Sequence, residues 1–583
     1  MPQISASLLP QWAWPVRLQR ASRWWSGWSL APRTVALLLA LWCIALLNQP
    51  LWHTLSELAG ATELTDPWAL KRLALGALLV CATFLWFMLW SWPGVRRPVW
   101  SVHLVLAASV QHFMLSYGVV MDSSMVQNSL QTNWTEALAL LTPGLLLHVL
   151  LYAGLPIAWL YTGVDMPAQR RGWLRSALWL LAALGVLVVG GMRLYRDLAP
   201  LLRNHTEIRY QVNPLATVVS WSNVTLKPIL KPKKPFQPVT AGAALGATYR
   251  AQAAGQVKPP LLVLVVGETA RADHFGRMYG YARDTTPQLQ ARQVLSWQQV
   301  QSCGTNTIAS VPCMFSPVGK EGYEGRKVEY GNLLDIVQAA GLAVRWLDNQ
   351  AGCKGVCARI PSAEAQAIAT PEQRAQWCRD GECLDRLMVA QLDAQLAAIP
   401  AAQRQQGVVL VLHQMGSHGP AYYRRSAPDT KRFTPECATH VTSDCSQQDL
   451  INVYDNSIVE TDAFLAQTID WLQTQQQGFA TSMLYVSDHG ESLGENGLYL
   501  HGLPYRIAPQ AQKHVPWVLW PGTLQARTGW REDCARTQLN QPLTHDAYFH
   551  TVLGMLDVSS PYYQPQQDAM ANCRTQRMAA AGG

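Results

Sequence analysis

Charge is what this chain has least of. Asp, Glu, Lys and Arg make up only 14% of its 583 residues, against roughly a quarter in ordinary soluble domains, while 49% are hydrophobic and 24 are Trp. A chain so long and so apolar holds more than one domain, and part of it belongs in a membrane. A recognisable nucleic-acid module is missing. The basic residues behind the net charge of +8 are scattered or flank apolar runs, so they read as lipid and topology signals, and nucleic acid is not expected as a partner. No internal repeat is visible, and low complexity is confined to short Gln-rich turns and an Ala/Gly tail. A cleavage-type signal is also lacking from the opening segment. The first span is therefore expected to act as an uncleaved anchor, with Trp12, Trp14, Trp24, Trp25 and Trp28 lying in the interface.

What fills the first third is five apolar runs, near 34–52, 69–92, 99–120, 136–161 and 174–195, each close to the ~20 residues that span a hydrocarbon core. Lys and Arg are absent from the loops 53–68 and 121–135. Arg17, Arg20, Arg23 and Arg33 precede the first run, Arg96 and Arg97 join the second to the third, and Arg170, Arg171 and Arg175 join the fourth to the fifth. Lys71 and Arg72 run against this pattern and are outvoted. The asymmetry predicts a cytoplasmic amino end (1–33), a five-span transmembrane domain (34–195) and an exported remainder.

Cysteine usage tests that topology. Cys43 and Cys81 lie inside expected spans, and the other ten of the twelve follow residue 300, an even number that suits an oxidising compartment. Close spacings propose Cys303 with Cys313, Cys353 with Cys357, Cys378 with Cys383 and Cys437 with Cys445, leaving Cys534 and Cys573 for each other. Zinc–thiolate binding is the rival reading. A Pro-rich connector covers 196–258, with the basic run Lys231-Pro232-Lys233-Lys234. Its early leucines (Leu194, Leu198, Leu201, Leu202) suggest a short helix resting on the membrane surface or a plain linker.

From 259 to 583, strand-like runs (261–269, 342–347, 407–413, 481–487) alternate with helix-like ones (332–340, 384–398, 449–474). This alternation marks a layered α/β domain with a mostly parallel sheet. Three of the strands end in ionisable residues: Glu268 after the first, His418 after the 407–413 strand, and Asp488 with His489 after the last. Open α/β sheets build their sites beyond the carboxyl ends of strands. Glu268, Asp488 and His489 make a plausible zinc set. The run Cys303-Gly304-Thr305-Asn306-Thr307 precedes an expected helix start, where backbone N–H groups favour a phosphate. A metal would lower the pKa of a threonine hydroxyl there and polarise a phosphoryl oxygen. On the residues alone, Thr305 and Thr307 are equal candidates, and N-capping is the plain alternative for both. His413 reads as a supporting or core residue and His274 as a helix-surface residue.

Taken together, Gly267-Glu268-Thr269-Ala270-Arg271-Ala272-Asp273-His274, Cys303 to Thr307, Met415-Gly416-Ser417-His418-Gly419-Pro420, and Ser487 to Glu495 through His501-Gly502 resemble the lipid A phosphoethanolamine transferases. That family includes the intrinsic and mobile colistin-resistance enzymes. The resemblance covers nearly the whole chain after the first 30 residues, including Tyr117-Gly118-Val119 and Gln127-Asn128 through Thr132-Asn133. It implies a helical domain of five transmembrane spans in the bacterial inner membrane and a periplasmic domain of the alkaline phosphatase/sulfatase fold. It also implies zinc as cofactor, phosphatidylethanolamine as donor, lipid A as acceptor, and a monomer among membrane lipids. By resemblance, Thr307 is nucleophile and zinc ligand, and Glu268, Asp488 and His489 complete the zinc site. His418, His501, Lys354 and Gln350 serve substrate or a second metal, Gln350 standing where relatives are expected to carry Asn. The implied reaction is a ping-pong transfer through a phosphoethanolamine-threonine, lowering surface negative charge and giving polymyxin resistance. The alternatives are a phosphoglycerol or glycan-directed transferase or phosphatase of the same fold, or a catalytically inert membrane sensor.

Overall fold

The apolar periods of the sequence become two compact units in a computed structural model, which describes residues 28–60, 67–132, 137–138, 140–167, 172–204, 207–230, 234–379 and 381–574. Trp12, Trp14, Trp24, Trp25, the topology residues Arg17, Arg20, Arg23, Arg170 and Arg171, and the basic run from Lys231 to Lys233 lie outside the described residues. One unit comprises residues up to His112 together with Pro143–Val219; the other comprises Phe113–Thr142 and the chain from Ser220 onward.

In the first unit, α1 (Pro32–Leu46) and α2 (Gln49–Gly60) meet at a bend of 48°. Pro50 lacks the N–H that would continue the helix to Leu46 O, which accepts from the Gln111 side chain at 2.6 Å instead, and Asn48 donates to Cys43 O at 2.8 Å. The same amide donates to Asn213 O at 2.6 Å, and the Asn213 side chain donates to Ala107 O at 2.6 Å. Next come α3 (Pro67–Leu89) and α4 (Arg96–Tyr117). In the second unit α5 (Ser123–Gln131) is capped by Asp122, and the first unit resumes with α6 (Pro143–Gly163) and α7 (Gly172–Asn204). Among the described residues four helices are long and apolar enough to cross a membrane, and five if the bent pair counts as one span. Leu70, Leu73, Leu178, Leu181 and Val189 point outward, as lipid-facing side chains do. Neither the separate surface helix nor the plain linker suggested for the stretch from Leu194 to Leu202 forms there. Leu194, Leu198 and Leu201 keep the helical period of the last span, and α7 runs on through them as a single helix of 33 residues.

The second unit is organised on a seven-stranded sheet of order β4-β3-β5-β1-β6-β7-β2. Its members are β1 (Pro260–Gly267), β2 (Leu295–Trp297), β3 (Ala343–Asp348), β4 (Ser362–Glu364), β5 (Val408–His413), β6 (Ala480–Ser487) and β7 (Trp517–Trp520). The five from β4 to β6 are mutually parallel, and β7 is antiparallel to both neighbours. All eight residues of β1 are buried, and alternate ones serve opposite layers. Leu262, Leu264 and Val266 pack with α9 (Leu333–Ala339) and α11 (Asp546–Met555). Leu261, Val263 and Val265 pack with α10 (Gln447–Thr474). A strand covered on both faces has no polar alternation, which is why it reads as one continuous apolar run. The helix expected over 384–398 is two short ones, Arg386–Val389 and Leu392–Ala397, with Gln391 between them turned to donate to Ala365 O at 2.9 Å.

Five disulfides join Cys303–Cys313, Cys353–Cys357, Cys378–Cys383, Cys437–Cys445 and Cys534–Cys573. Cys43 and Cys81 are free.

Candidate active site

Parallel pairing brings the carboxyl ends of β1, β5 and β6 to one edge, with Ser487 opposite Gly267 and His413 opposite Val266. Glu268, immediately beyond β1, is 1% exposed. Thr269 follows at φ 61°, a left-handed conformation that costs a β-branched residue about 1–3 kcal/mol and persists only where neighbours enforce it. Here its hydroxyl donates to Glu268 Oε1 at 2.5 Å, its N–H to Asp488 Oδ1 at 3.2 Å, and its carbonyl accepts from Tyr454 at 2.8 Å.

Thr307 opens α8 (Thr307–Met314), whose N-cap Asn306 accepts from Ala309 N at 3.0 Å. The Thr307 hydroxyl donates to Glu268 Oε2 at 3.1 Å. Thr305 is turned elsewhere, its hydroxyl donating to Leu503 O at 2.6 Å. Two overlapping groups of ligand atoms, each within 4.8 Å of one another, share Glu268: Glu268 with Asp488 and His489, and Glu268 with His418 and His501. His489 Nε2 lies 3.3 Å from both Glu268 Oε1 and Asp488 Oδ2. Asp488 Oδ2 and His489 Nε2 are nevertheless buried without a hydrogen-bond partner, the signature of donor atoms shaped for a cation. The ring of His489 is held through Nδ1, which lies 2.9 Å from Gly490 O, so its other nitrogen faces the carboxylates. A set of carboxylate oxygens, one imidazole and a threonine oxygen fits zinc.

Burial and proximity set the charges. Burial and the neighbouring Glu268 push Asp488 up to about 7. Burial opposes charge on His489, but the two carboxylates raise it to about 10. Burial would also raise Glu268, yet the imidazoles of His489, His418 and His501 hold it below the usual carboxylate range.

A cavity of about 140 Å³ opens on this edge and is lined by Thr307, Gln350, Lys354, His418 and His501, and also by Tyr117, Asn128 and Thr132. Gln350 donates to Glu268 Oε2 at 3.2 Å, and Lys354 Nζ donates to Ala351 O at 2.8 Å. His501 Nδ1 lies 3.2 Å from Glu491 Oε1, whose carboxyl burial pushes up to about 8. His418 reaches the site because Gly416, at φ +52°, lets its loop cross Glu268, and a Cβ there would lie 2.5 Å from Glu268 O.

His413 is fully buried outside both ligand groups and pairs with Asp348 at 3.0 Å. His274 is not a surface residue: it is 7% exposed, with Nδ1 2.7 Å from Asp455 on α10, whose approach from 181 residues away covers it.

Four groups escape sequence reasoning. Asp348 accepts from Trp346 Nε1, Gln350 N and Gly352 N and so shapes the Gln350–Lys354 turn. Asp385 accepts from Met415 N and Gly416 N at 2.8 and 2.9 Å, pinning the His418 loop. Glu491 orients His501. His545 accepts from Cys303 N at 3.2 Å and reaches Ser487 O at 3.0 Å, a neutral tautomer that fits its buried ring, held down to about 3. Asp385 and His545 work through backbone groups far along the chain, Asp348 through its own turn and Glu491 through one nearby imidazole, so no spacing announces these roles.

The family description "Sulfatase" matches residues 260–558, and "Phosphoethanolamine transferase EptA/EptB" matches residues 79–228. Over 85% of this chain and 88% of that protein, the chain is 37% identical to phosphoethanolamine transferase EptA of Escherichia coli K12. The chain belongs to the phosphoethanolamine transferase family. It is also 35% identical to phosphatidylethanolamine transferase Mcr-1 of Escherichia coli, over 93% of this chain and 98% of that protein. The full-length lipooligosaccharide phosphoethanolamine transferase A of Neisseria meningitidis superimposes with a TM-score of 0.84 at 32% identity, covering 94% of this chain and 99% of that one. Like that integral membrane protein, this phosphoethanolamine transferase has an amino-terminal membrane domain and a periplasmic domain of the alkaline phosphatase/sulfatase fold.

Proposed function

We propose that the protein moves phosphoethanolamine from phosphatidylethanolamine to a phosphate of lipid A through a phosphoethanolamine ester on Thr307. The observation that carries this reading is the Thr307 hydroxyl, at the start of a helix, donating to Glu268 in a cavity shared with His418, His501 and Lys354. Glu268, Thr307, Asp488 and His489 would hold a zinc ion, which supplies Lewis-acid polarisation of a phosphoryl oxygen and acidifies the threonine hydroxyl.

The residues do the rest. Glu268 Oε2 takes the hydrogen-bonded proton from Thr307 Oγ1, which attacks the donor phosphorus. The bond from phosphorus to the glycerol oxygen breaks, and diacylglycerol leaves with that proton, returned by Glu268. The α8 amino end and Lys354 favour the anion during this exchange. A phosphate oxygen of lipid A, giving up its proton to Glu268, then attacks the same phosphorus, and the bond to Thr307 Oγ1 breaks as Thr307 takes that proton. An ethanolammonium added to lipid A offsets negative charge and weakens the attraction of cationic peptides such as polymyxins.

The test is incubation with labelled phosphatidylethanolamine without acceptor, followed by peptide mass spectrometry. The adduct is expected on Thr307, absent in Thr307→Ala, measurable in Thr307→Ser, and little changed in Thr305→Ala. An adduct on Thr305, Ser310 or a histidine, or wild-type turnover in Thr307→Ala, overturns the reading. Metal analysis supplies a second readout: bound zinc is expected to fall in Asp488→Ala and His489→Ala and to persist in Thr307→Ala.

A further inference from the structure

The periplasmic domain holds a second, larger cavity that the reaction above does not use. It has a volume of about 500 Å³. Its walls are the hairpin in which Cys378–Arg379 pairs with Glu382–Cys383, and the turn from Tyr423 to Lys431. Most of its charges are committed. Arg386 is bound to Asp429 at 2.8 Å and Glu460 at 2.8 Å, and Lys431 to Glu436 at 2.5 Å. Glu382 faces Arg425 at 2.9 Å. Among the described residues, Arg379 and Arg424 have no carboxylate within ion-pair distance.

Arg424 and Arg379 line this cavity as cations, and a guanidinium N–H can only donate, so an anionic oxygen is the ligand that suits them best. Trp377 and Tyr423 line it too, the Arg386 guanidinium lying over the Trp377 ring at 4.8 Å and that of Arg424 over the Tyr423 ring at 5.7 Å. Two arginines without a carboxylate partner among the described residues, beside aromatic rings, fit a phosphorylated saccharide.

The cavity is also linked to Thr307. A third cavity, of about 360 Å³, shares Glu382 with it and shares Gln131, Gln350 and Ala351 with the reaction pocket. That intermediate trough is polar, with Asn349 and Glu364 on its walls.

We infer that the cavity at Arg424 is a second phosphate subsite, which holds the phosphomonoester of the acceptor that is not being modified while its other phosphate lies at Thr307. The inference rests on the reading of the acceptor as a phosphorylated glycolipid. Arg424 ligates the distal phosphate, Arg379 adds charge at the rim, and the trough carries the sugars between the two sites. An acceptor with two phosphates is thereby gripped at both ends, and one with a single phosphate at one end only.

The full-length protein in detergent micelles is assayed with bis-phosphorylated and mono-phosphorylated lipid A. The expected KM for the bis-phosphorylated acceptor is about tenfold lower, the worth of one charge-assisted hydrogen bond. Arg424→Gln is expected to erase this difference by raising the KM of the bis-phosphorylated acceptor alone. It leaves kcat and the release of diacylglycerol from donor alone unchanged, and Arg424→Lys recovers part of the effect. Arg379→Gln, at an exposed position, moves the same ratio in the same direction and serves if Arg424→Gln does not fold. Inorganic phosphate distinguishes a free anion from a lipid-borne one: competition against the bis-phosphorylated acceptor only is expected for the subsite, and equal competition against both acceptors overturns it. A KM ratio unchanged in both variants, or shifted equally for both acceptors, also overturns it. If the wild-type protein transfers to neither acceptor, it is the acceptor reading that fails. Calorimetry with inorganic phosphate then decides the subsite: binding that depends on Arg424 retains it, and equal binding in Arg424→Gln rejects it.

Discussion

At Gly416 the chain passes so close to Glu268 that a methyl group has no place: a Cβ would meet the Glu268 carbonyl at 2.5 Å and its Cβ at 3.1 Å, and φ is +52°. Gly416→Ala therefore has to move the loop that carries His418. The expected cost is about 2 kcal/mol or more in stability, with a larger fall in transfer rate than in Tm, measured by thermal unfolding and turnover of the full-length protein. An alanine variant with wild-type Tm and rate would show that the loop is free to shift. Residue identity alone made much of this neighbourhood readable, because Glu268, Asp488 and His489 each follow a continuous apolar strand, where a charged side chain needs a reason. Asp385 and His545 stayed hidden: they bond main-chain groups of other segments, as Asp385 does to Met415 and Gly416 thirty residues on. His274 misled for the same reason, since its covering partner Asp455 is 181 residues away.

Among the elements, α10 carries the clearest pH signal away from the reaction centre. Asp462 is fully buried, accepts from Gln288 N and Leu289 N at 2.9 Å each, and is pushed by burial up to about 7. Between its ordinary value of 3.8 and about 7 the folded protein keeps a proton that the unfolded chain has lost. Stability from this group therefore falls as pH rises through that window, by up to about 4 kcal/mol. Asp462→Asn does not titrate. The Tm of Asp462→Asn relative to wild type is expected to rise by a few degrees between pH 5 and 8, and a flat difference over that range rules the effect out. A second test concerns α8. Asn306 caps its amino end and also donates to Ser124 Oγ at 2.6 Å. Asn306→Ala is expected to cost about 1 kcal/mol, whereas Asn306→Asp keeps the cap and loses only the bond to Ser124. Equal Tm losses in the two variants would contradict this division. The long helix and the parallel strands were legible because their periods persist over many residues. The three-residue strands β2 and β4 were not, and β7, a four-residue run whose sequence bears no mark of direction, enters antiparallel.

For the molecule as a whole, the covalent framework is unequal. The bridges Cys353–Cys357, Cys378–Cys383, Cys437–Cys445 and Cys303–Cys313 close separations of 4 to 10 residues, while Cys534–Cys573 closes 39. In the loop-entropy account the long bridge contributes about 4 kcal/mol and the Cys378–Cys383 bridge about 2. Replacing Cys534 and Cys573 by serine is thus expected to lower Tm more than replacing Cys378 and Cys383, and the reverse order would discredit that account for this fold. Thiol labelling of denatured, unreduced protein is expected to find two reactive cysteines, Cys43 and Cys81. The membrane and export plan was legible from charge placement, but the grouping of Phe113–Thr142 with the chain after Ser220 was not, because nothing in a short loop states which distant surface will cover it.

That grouping sets an order of events during synthesis. The wall formed by Tyr117, Asn128 and Thr132 leaves the ribosome long before Thr307, and His501, which lines the same cavity, comes later still. Ser124 must wait 182 residues for Asn306, and Met125 longer for Gly502, where only a hydrogen leaves room for its methyl group. Non-local contacts of this kind close late. The nascent chain therefore crosses the bilayer with this cavity unassembled, and a chain cut short before His501 lacks part of its lining.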